Sequence, residues 1–274
     1  MRFAFARVLA VLACCVAPWS AKAADQAILT FSFDDSLLSQ YRLGFPVLKS
    51  RSIPATACVL ASPEMSDTPG PRALETKWSL MAWSQVKELL AAGWEVCAHS
   101  VTHPNLTQVS ERQLFAEIVR PKSIIQQKVG VAPTVFASPG GAFNERTLDV
   151  IRALYRAQLG VWWPGLEIAG FNGMKSLDPY RVTRLGVTRD EPTPERVCKY
   201  IDEAIARGVW YVLEFHNILE HPNQAQDDEN AVSVSALETI AQCAVAARDA
   251  GRLRILTAGE ALDAIAPHHG APTR

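Results

Sequence analysis

Two short segments of the chain carry side chains of the kinds that bind a catalytic metal. One segment ends in adjacent carboxylates, Asp34 and Asp35, and the other, His-Ser-Val-Thr-His, supplies the imidazoles of His99 and His103. Nitrogen and oxygen donors together favour zinc over calcium or magnesium, with cobalt and nickel as alternatives. We expect Asp35, His99 and His103 to hold such an ion and to leave a position open for water, whose pKa the ion lowers toward neutrality. The pattern indicates a hydrolase that cuts esters or amides.

The flanking sequence predicts that these residues lie at the ends of buried strands. An apolar run at 27–33 ends at Asp34, and a second at 94–98 ends at His99. Barrel and open-sheet α/β proteins carry their chemistry at the carboxyl ends of such strands. Neighbouring side chains on a regular strand diverge, so Asp34 and Asp35 must lie where the strand ends and bends. There Asp34 could accept a proton from the activated water.

Apolar runs alternate with amphipathic segments along the rest of the chain. We predict strands at 27–33, 54–60, 94–98, 134–138, 158–161, 210–215 and 254–257. Helices are predicted at 83–92, 110–129, 144–154, 193–207 and 233–250. Ser84, Ser110 and Asn144 are the predicted helix starts, and glycines at 93, 130, 208 and 251 the predicted stops. Strands separated by helices predict a parallel α/β sheet, either doubly wound or closed into a barrel. The proline-rich stretch 62–77 is predicted as an irregular loop, either a surface excursion or a substrate-binding loop at the rim.

The first residues predict export. Positive charge, an apolar run at 8–17 and an Ala-Lys-Ala pattern predict a signal peptide over residues 1–23, cleaved after Ala23, and one domain over 24–274. We therefore expect a periplasmic or secreted protein. Acylation at Cys14, which would make a lipoprotein, is the second choice. The remaining sequence has no apolar stretch of the roughly 18–20 residues that a membrane span needs, so no stable insertion is expected after cleavage.

The net charge limits the kinds of partner that the protein could bind, and the cysteines bear on whether it contains disulfides. A net charge of −1 argues against a nucleic-acid partner and fits a neutral polymer or a small molecule. Four cysteines remain after cleavage, and an oxidising compartment permits disulfides. Pairing is not required, since Cys58 and Cys97 lie within predicted strands, where a buried thiol acts as a small hydrophobic side chain. Cys198 and Cys243 lie on predicted helices that flank one strand, and we hypothesise a bridge between them.

Four motifs, in this order along the chain, resemble those of the polysaccharide deacetylases of carbohydrate esterase family 4, also called the NodB-homology fold. Phe-Ser-Phe-Asp-Asp at 31–35 resembles the first motif, and 99–103 fits the His-Ser/Thr-x-x-His second motif. Phe-Ala-Ser-Pro-Gly-Gly at 136–141 resembles the third, and Val-Leu-Glu-Phe-His at 212–216 the late strand that ends in a histidine. The resemblance implies a single-domain, distorted (β/α)7 barrel, a metal that is commonly zinc, and removal of acetyl groups from an N-acetylated glycan.

The resemblance also implies roles for individual residues. Asp34 would be the catalytic base and His216 the acid that protonates the leaving group. The backbone N–H of Gly140, which follows Pro139 of the third motif, would stabilise the oxyanion. Outside the family pattern, His216 would be read as a core histidine bonded to a backbone carbonyl.

Three departures from the family pattern bear on the site. Ala137 stands where many members carry an arginine that pairs with the base, and we hypothesise that Arg181 or Arg184 replaces it. Trp162 and Trp163 lie where an aspartate-tryptophan motif is usual, and they form either a sugar-stacking wall or buried bulk.

The third departure is Glu214, which stands where a leucine often lines the acetyl pocket. Either the carboxylate makes that pocket polar, or Leu213 or Phe215 takes the place of the leucine.

Two other functions stay open. The same chemistry would serve an esterase that removes O-acetyl groups from a glycan such as xylan. The missing arginine at position 137 would also suit a glycan-binding homologue without turnover.

Overall fold

A computed structural model describes residues 26–72, 75–161, 170–221 and 228–265 of the chain. The predicted leader, the alternative acylation site Cys14, and both Trp162 and Trp163 lie outside these ranges. The described strands are β1 (Ala27–Phe33), β2 (Thr56–Val59), β3 (Glu95–Ala98), β4 (Val135–Ala137), β5 (Ala157–Leu159), β6 (Phe171–Asn172), β7 (Leu185–Gly186), β8 (Trp210–Phe215), β9 (Ile218–Leu219), β10 (Val232–Ser233) and β11 (Leu253–Ile255). The helices are α1 (Phe45–Lys49), α2 (Trp83–Ala91), α3 (Glu111–Val129), α4 (Glu145–Arg152), α5 (Pro194–Arg207), α6 (Val234–Asp249) and α7 (Ala258–Ile265).

The main sheet closes into a distorted barrel. Its strand order is β5-β4-β3-β2-β1-β8-β6, with β11 beside the start of β1; the pairs are parallel except for the short β6, which runs antiparallel to β8. Residues 182–186 join the two sides, because Val182 bridges to Leu159 next to β5 and Leu185 pairs with Leu213 of β8. Of the two architectures that alternation allowed, the single-domain barrel is therefore confirmed.

Two apolar layers fill the fold, one on each face of the strands. Phe31, Phe33 and Leu213 belong to the layer between sheet and helices, whereas Ile28 and Val212 belong to a second cluster on the opposite, inner face. This alternation follows from the two-residue period of a strand. Parallel strands are buried on both faces of their sheet, so each face packs against an apolar layer.

Helix α7 covers the barrel end opposite to the predicted site. The backbone N–H of Ala258 donates to Thr56 Oγ1 at 2.8 Å, and that of Gly259 donates to the Glu95 carboxylate at 2.9 Å. Thr56 and Glu95 are the first residues of β2 and β3, so α7 begins at the amino ends of the strands. The predicted site lies at the other end of the barrel, where the carboxyl ends of the strands are.

Side-chain caps fix most helix starts close to the predicted ones. The hydroxyl or amide oxygens of Ser110, Asn144, Thr193 and Ser233 each accept a backbone N–H in the first turn of their helix. The predicted start at Ser84 is wrong. Helix α2 begins after Ala82, whose N–H donates to the side chain of Gln85 at 2.8 Å.

The structure contains two disulfides. The hypothesised Cys198–Cys243 bridge is present and joins α5 to α6. The sequence left open whether Cys58 and Cys97 are paired, and in the structure they form the second disulfide. Parallel pairing of β2 with β3 sets these two residues directly opposite each other, with Cα atoms 4.4 Å apart, and their sulfurs are bonded.

Among the described residues, no helix is long and apolar enough to cross a membrane.

Candidate active site

Four strands deliver the predicted residues to one end of the barrel. Asp34 follows β1, His99 follows β3 and His216 follows β8, while Ala137 ends β4. Because neighbouring parallel strands end on the same side of a sheet, their following residues meet at one rim. The sequence places polar side chains at these positions directly after apolar runs.

Asp35, His99 and His103 converge on a common point. Asp35 Oδ1 lies 3.3 Å from Nε2 of His99 and 3.3 Å from Nε2 of His103. The Nδ1 of His99 lies 2.9 Å from the carbonyl oxygen of Ala137. Because a carbonyl oxygen can only accept a hydrogen bond, Nδ1 carries the proton and Nε2 is free to bind a metal ion. Asp35 Oδ1 and His99 Nε2 are buried, and neither has a hydrogen-bond partner among the described residues.

This donor set fits a divalent cation. Two imidazole nitrogens and one carboxylate oxygen are the ligand types that zinc prefers, and a hydrogen bond behind one histidine is the usual means of orienting it. Burial alone would lower the pKa of His99, but the carboxylates of Asp34 and Asp35 outweigh it and raise that pKa. The same negative potential favours a cation bound between the three side chains.

Left-handed backbone makes the convergence geometrically feasible. Among the described residues, five non-glycine residues have positive φ, and four of these are Asp35 (74°), Ser36 (57°), Ser100 (64°) and His103 (57°). Such conformations cost about 1–3 kcal/mol each and cluster at functional sites. They turn the chain sharply after β1 and β3, so Asp34 and Asp35 need not diverge as they would on a strand.

Glu117, which sequence reasoning missed, holds the turn between the two histidines. Its Oε2 accepts the backbone N–H groups of Val101 at 2.8 Å and Thr102 at 2.9 Å, and its Oε1 accepts the Thr102 hydroxyl at 2.7 Å. Glu117 lies on α3 with only 5% of its surface exposed, beside the buried Leu114 and Ile118. The signal available in the sequence was an acid on the apolar face of a predicted helix.

Asp34 is bound by a buried guanidinium. Arg184 donates from Nη1 to Asp34 Oδ1 at 2.7 Å and from Nη2 to Asp34 Oδ2 at 2.9 Å, a bidentate pair. Its Nη2 also lies 2.7 Å from Glu214 Oε1, and its Nε donates to the carbonyl oxygen of Gly160 at 3.1 Å. One arginine therefore serves two carboxylates inside the barrel.

The charged groups of this buried cluster shift one another's pKa values. Burial by itself would raise the pKa of Asp34, but the positive charges of Arg184 and His99 hold that pKa well below its ordinary value. Burial raises the pKa of the Glu214 carboxyl, although Arg184 opposes the change. The neighbouring positive charges thus keep Asp34 ionised near neutral pH.

Of the two arginines considered as partners for Asp34, the structure brings Arg184 to it and not Arg181. Arg184 lies in the barrel-closing segment 182–186, which puts its side chain inside the barrel. Arg181 is paired at the surface with Glu145 and Asp178 instead. The hypothesis for Arg181 is wrong because that residue precedes the closing segment.

His216, Glu214 and Asp34 form a second group, with ligand atoms within 4.8 Å of one another. Leu213 does not line this space. Alternation along β8 places Glu214 and His216 on the inner face and Leu213 in the helix-facing apolar layer. Of the two alternatives for this position, the one with Leu213 or Phe215 in place of the leucine does not agree with the structure, because both residues face the helix layer. The alternative in which Glu214 makes this space polar agrees with it.

The third motif forms a tight turn next to the histidines. Ala137 supplies the carbonyl bonded to His99, and the 3-10 turn Pro139–Gly141 follows one residue later. Pro139 is buried and Gly140 is exposed. Gly140 has φ 58° and ψ 18°, a left-handed conformation that glycine adopts without strain, and a Cβ there would meet nothing within 4 Å. This open position at the rim suits a backbone donor.

The proline-rich loop reaches the same rim. The residues that directly follow the loop pair with the chain just beyond Asp35, because Met81 N–H donates to the Ser36 carbonyl at 2.8 Å and Leu38 N–H to the Ser79 carbonyl at 2.7 Å. A cleft of about 390 Å³ lies along this loop, and Trp78 on its edge is 53% exposed.

The sequence of the chain is similar to those of known proteins. A family model described as polysaccharide deacetylase matches residues 21–157. Peptidoglycan-N-acetylglucosamine deacetylase PgdA of Listeria monocytogenes is 28% identical over 131 residues, which make up 47% of this chain and 25% of that protein. The chain therefore matches about a quarter of the length of that relative.

Solved structures share the fold. The Xyl-CE4 domain of a multidomain xylanase from the hindgut metagenome of Trinervitermes trinervoides superposes with a TM-score of 0.54 at 16% identity, covering 87% of this chain and 90% of that one. BA3943 of Bacillus anthracis, described as a CE4 family pseudoenzyme, has a TM-score of 0.56 at 14% identity, covering 86% of this chain and 66% of that one. At these identities the likeness concerns the fold alone.

Proposed function

The chain belongs to the polysaccharide deacetylase family, and from that membership we propose that it is a metal-dependent hydrolase that removes acetyl groups from an N-acetylated polysaccharide or oligosaccharide. One observation carries the proposal. Three metal-ligand side chains, Asp35, His99 and His103, meet beside a carboxylate and a histidine that could move protons. Binding a glycan would require neither of the last two groups.

The metal is proposed to be zinc, with cobalt or nickel as alternatives, held by those three side chains. The buried, unpartnered atoms Asp35 Oδ1 and His99 Nε2 support a cation there, since unpartnered buried polar atoms are costly. A divalent ion bound there supplies Lewis acidity, which makes water a nucleophile near neutral pH and polarises the acetyl carbonyl.

The remaining groups supply the proton transfers. Asp34 accepts the proton that water gives up as its oxygen bonds to the acetyl carbon, and Arg184 keeps Asp34 ionised for this step. The backbone N–H of Gly140 donates to the developing oxyanion. His216 donates a proton to the sugar nitrogen as the carbon–nitrogen bond breaks, leaving acetate and a free amine. Pro139 forms part of the acetyl-side wall.

We also propose that the protein works outside the cytoplasm on a glycan of the cell envelope or an exported matrix. The leader-like sequence over residues 1–23 supports export, and the two disulfides suit an oxidising compartment. The Listeria relative is named for a peptidoglycan substrate, which makes peptidoglycan one of the glycans to test.

The test combines metal analysis with acetate release. Purified protein is expected to contain close to one divalent ion per chain and to release acetate from chitin oligomers or peptidoglycan. Chelation should abolish release and added zinc should restore it. Asp34→Asn should lower kcat by about 10²–10⁴-fold, since a lost general base costs that much, whereas Arg181→Ala should match the wild type.

Two outcomes would point elsewhere. Release from acetylxylan but not from chitin oligomers would favour the O-acetyl esterase. Metal-loaded protein that releases no acetate from any acetylated glycan would contradict the proposal and favour a binding protein.

A further inference from the structure

Gln40 connects the two residues that would move protons, although no motif includes it. We propose that Gln40 is a positioning residue that sets the separation between Asp34, the proton acceptor, and His216, the proton donor. The inference rests on the proposed function, because it assigns Gln40 a purpose within the same reaction.

The contact that supports it is a shared amide. The Nε2 group of Gln40 donates one hydrogen bond to the backbone carbonyl of Asp34 and another to the backbone carbonyl of His216, at 3.0 Å for the latter. Gln40 opens the π-helical turn Gln40–Gly44 and is 1% exposed. An amide nitrogen has two hydrogens, and here each goes to the end of a different strand.

The two carbonyls need such a connection because the strand ladder stops just before them. Strands β1 and β8 pair in register as far as Phe33 and Phe215, and the N–H of Asp34 donates to the carbonyl of Phe215 at 3.0 Å. Asp34 and His216 are the next residues on each strand. The Gln40 amide lies beyond the last pair of the ladder and bonds to both of the segments that leave β1 and β8.

Ser39 extends this connection by one residue. Its hydroxyl donates to Asn217 Oδ1 at 2.5 Å and accepts the backbone N–H of Ile218 at 3.1 Å. Two consecutive residues of the turn after β1 therefore fix three consecutive residues after β8. The arrangement is specific to the exits of the two strands that carry Asp34 and His216.

The two hydrogen bonds that Nε2 donates are what hold the Gln40 side chain in place. Its Oε1 is buried without a hydrogen-bond partner among the described residues. Methionine in its place would keep the volume and remove both donors, leaving two strand ends free to separate. A misplacement of about 1 Å in reacting groups can cost about 10²-fold in rate, so kcat should respond far more than substrate binding.

The test compares Gln40→Met with Gln85→Met. Gln85 is also buried, and its Oε1 accepts one backbone N–H at the start of α2, so the control removes a buried glutamine of the same size. Zinc-loaded Gln40→Met is expected to lose about 10–100-fold in kcat on chitin oligomers with KM changed by less than about threefold. Metal content should stay unchanged, and Gln85→Met should keep the wild-type kcat.

Wild-type kcat in Gln40→Met would overturn the proposal, as would an equal loss in Gln85→Met or a loss that only tracks missing metal. If Gln40→Met does not fold, Gln40→Asn takes its place, because the shorter amide keeps its donors but cannot reach both carbonyls.

A readout without turnover separates this inference from the proposed function. In metal-free protein, the NMR signal of the His216 Cε1–H group should shift or broaden in Gln40→Met and stay in place in Gln85→Met. If the wild type releases no acetate, the proposed function fails, and this signal decides alone whether Gln40 positions His216. An unmoved signal in Gln40→Met would overturn the positioning role.

Discussion

Replacing Arg184 with methionine would remove the positive charge that lies between Asp34 and Glu214 while keeping a side chain of similar length. The side chains of Arg184, Asp34 and Glu214 are 0%, 2% and 6% exposed, so solvent cannot replace the lost partner. Breaking a buried ion pair on one side costs about 3–5 kcal/mol because the other charge is left unpaired. We expect the free energy of unfolding at pH 8 to fall by that amount. For a domain of this size the melting temperature would drop by about 6–20 °C.

The loss of unfolding free energy in Arg184→Met should depend on pH. The direction of this dependence follows from the pKa of Asp34. In the wild type its pKa lies below the unfolded value, so its contribution to stability is present above the unfolded pKa and is lost as pH falls through the folded pKa. Without Arg184, only His99 and His216 would oppose the effect of burial, and we expect the pKa of Asp34 to rise above the unfolded value. Its contribution would then be present at low pH and lost as pH rises. The gap between wild type and variant should therefore widen from pH 4.5 to pH 8.

Urea denaturation of the metal-free proteins, followed by circular dichroism at pH 4.5, 6 and 8, measures this gap. Arg181→Met is the matched control, since its ion pairs are exposed and should be worth less than about 1 kcal/mol. A gap for Arg184→Met below about 1 kcal/mol at pH 8, or one that does not change with pH, would refute the reasoning.

Three further changes test other parts of the structure. Glu117→Ala should weaken zinc binding by about 10–100-fold, as loss of a group that orients metal ligands does; calorimetric titration with zinc measures it, and wild-type affinity would contradict the role given to the turn. Because burial raises the pKa of Glu214, its contribution to stability is lost as pH rises through the folded pKa. Glu214→Gln should therefore show a flatter unfolding free energy from pH 5 to pH 8, and curves parallel to the wild type would count against it. Cys198→Ala combined with Cys243→Ala opens a loop with a sequence separation of 45, which should cost about 4 kcal/mol by chain entropy; a loss below about 1 kcal/mol in urea denaturation would show that the bridge adds little.

The strands were predictable because each is an apolar run with polar neighbours. All seven predicted strands occur, and β1 and β8 have the predicted bounds. The closure of the barrel was not predictable from periodicity. It depends on the bridge at Val182 and on β7, which has two residues and so no measurable period.

Within the candidate site, the sequence pointed to residues that directly follow strands, because a polar side chain after an apolar run is visible in the sequence. It did not point to Glu117 and Gln40, which contact the site from other elements. Arg181 and Arg184 could not be separated in sequence because they are three positions apart in one irregular segment. Glu117 is an acid on the buried face of helix α3, and Gln40 lies in a turn that also contains Ser39 and Arg42. Only tertiary contacts reveal the partners of these two residues. Leu213 and Glu214 are adjacent on β8, so their side chains point to opposite faces, and the structure decides which of the two faces inward.

The position of Arg184 has a consequence for how homologues are sorted. The family model matches residues 21–157, and Arg184 lies beyond that stretch, whereas Ala137 lies inside it. A screen that inspects the third motif for its arginine would discard this chain as inert, together with any relative built in the same way. A screen that asks which cation touches the first aspartate in three dimensions would retain it. In this chain, the positive charge beside the first aspartate therefore comes from a segment that lies beyond the matched residues.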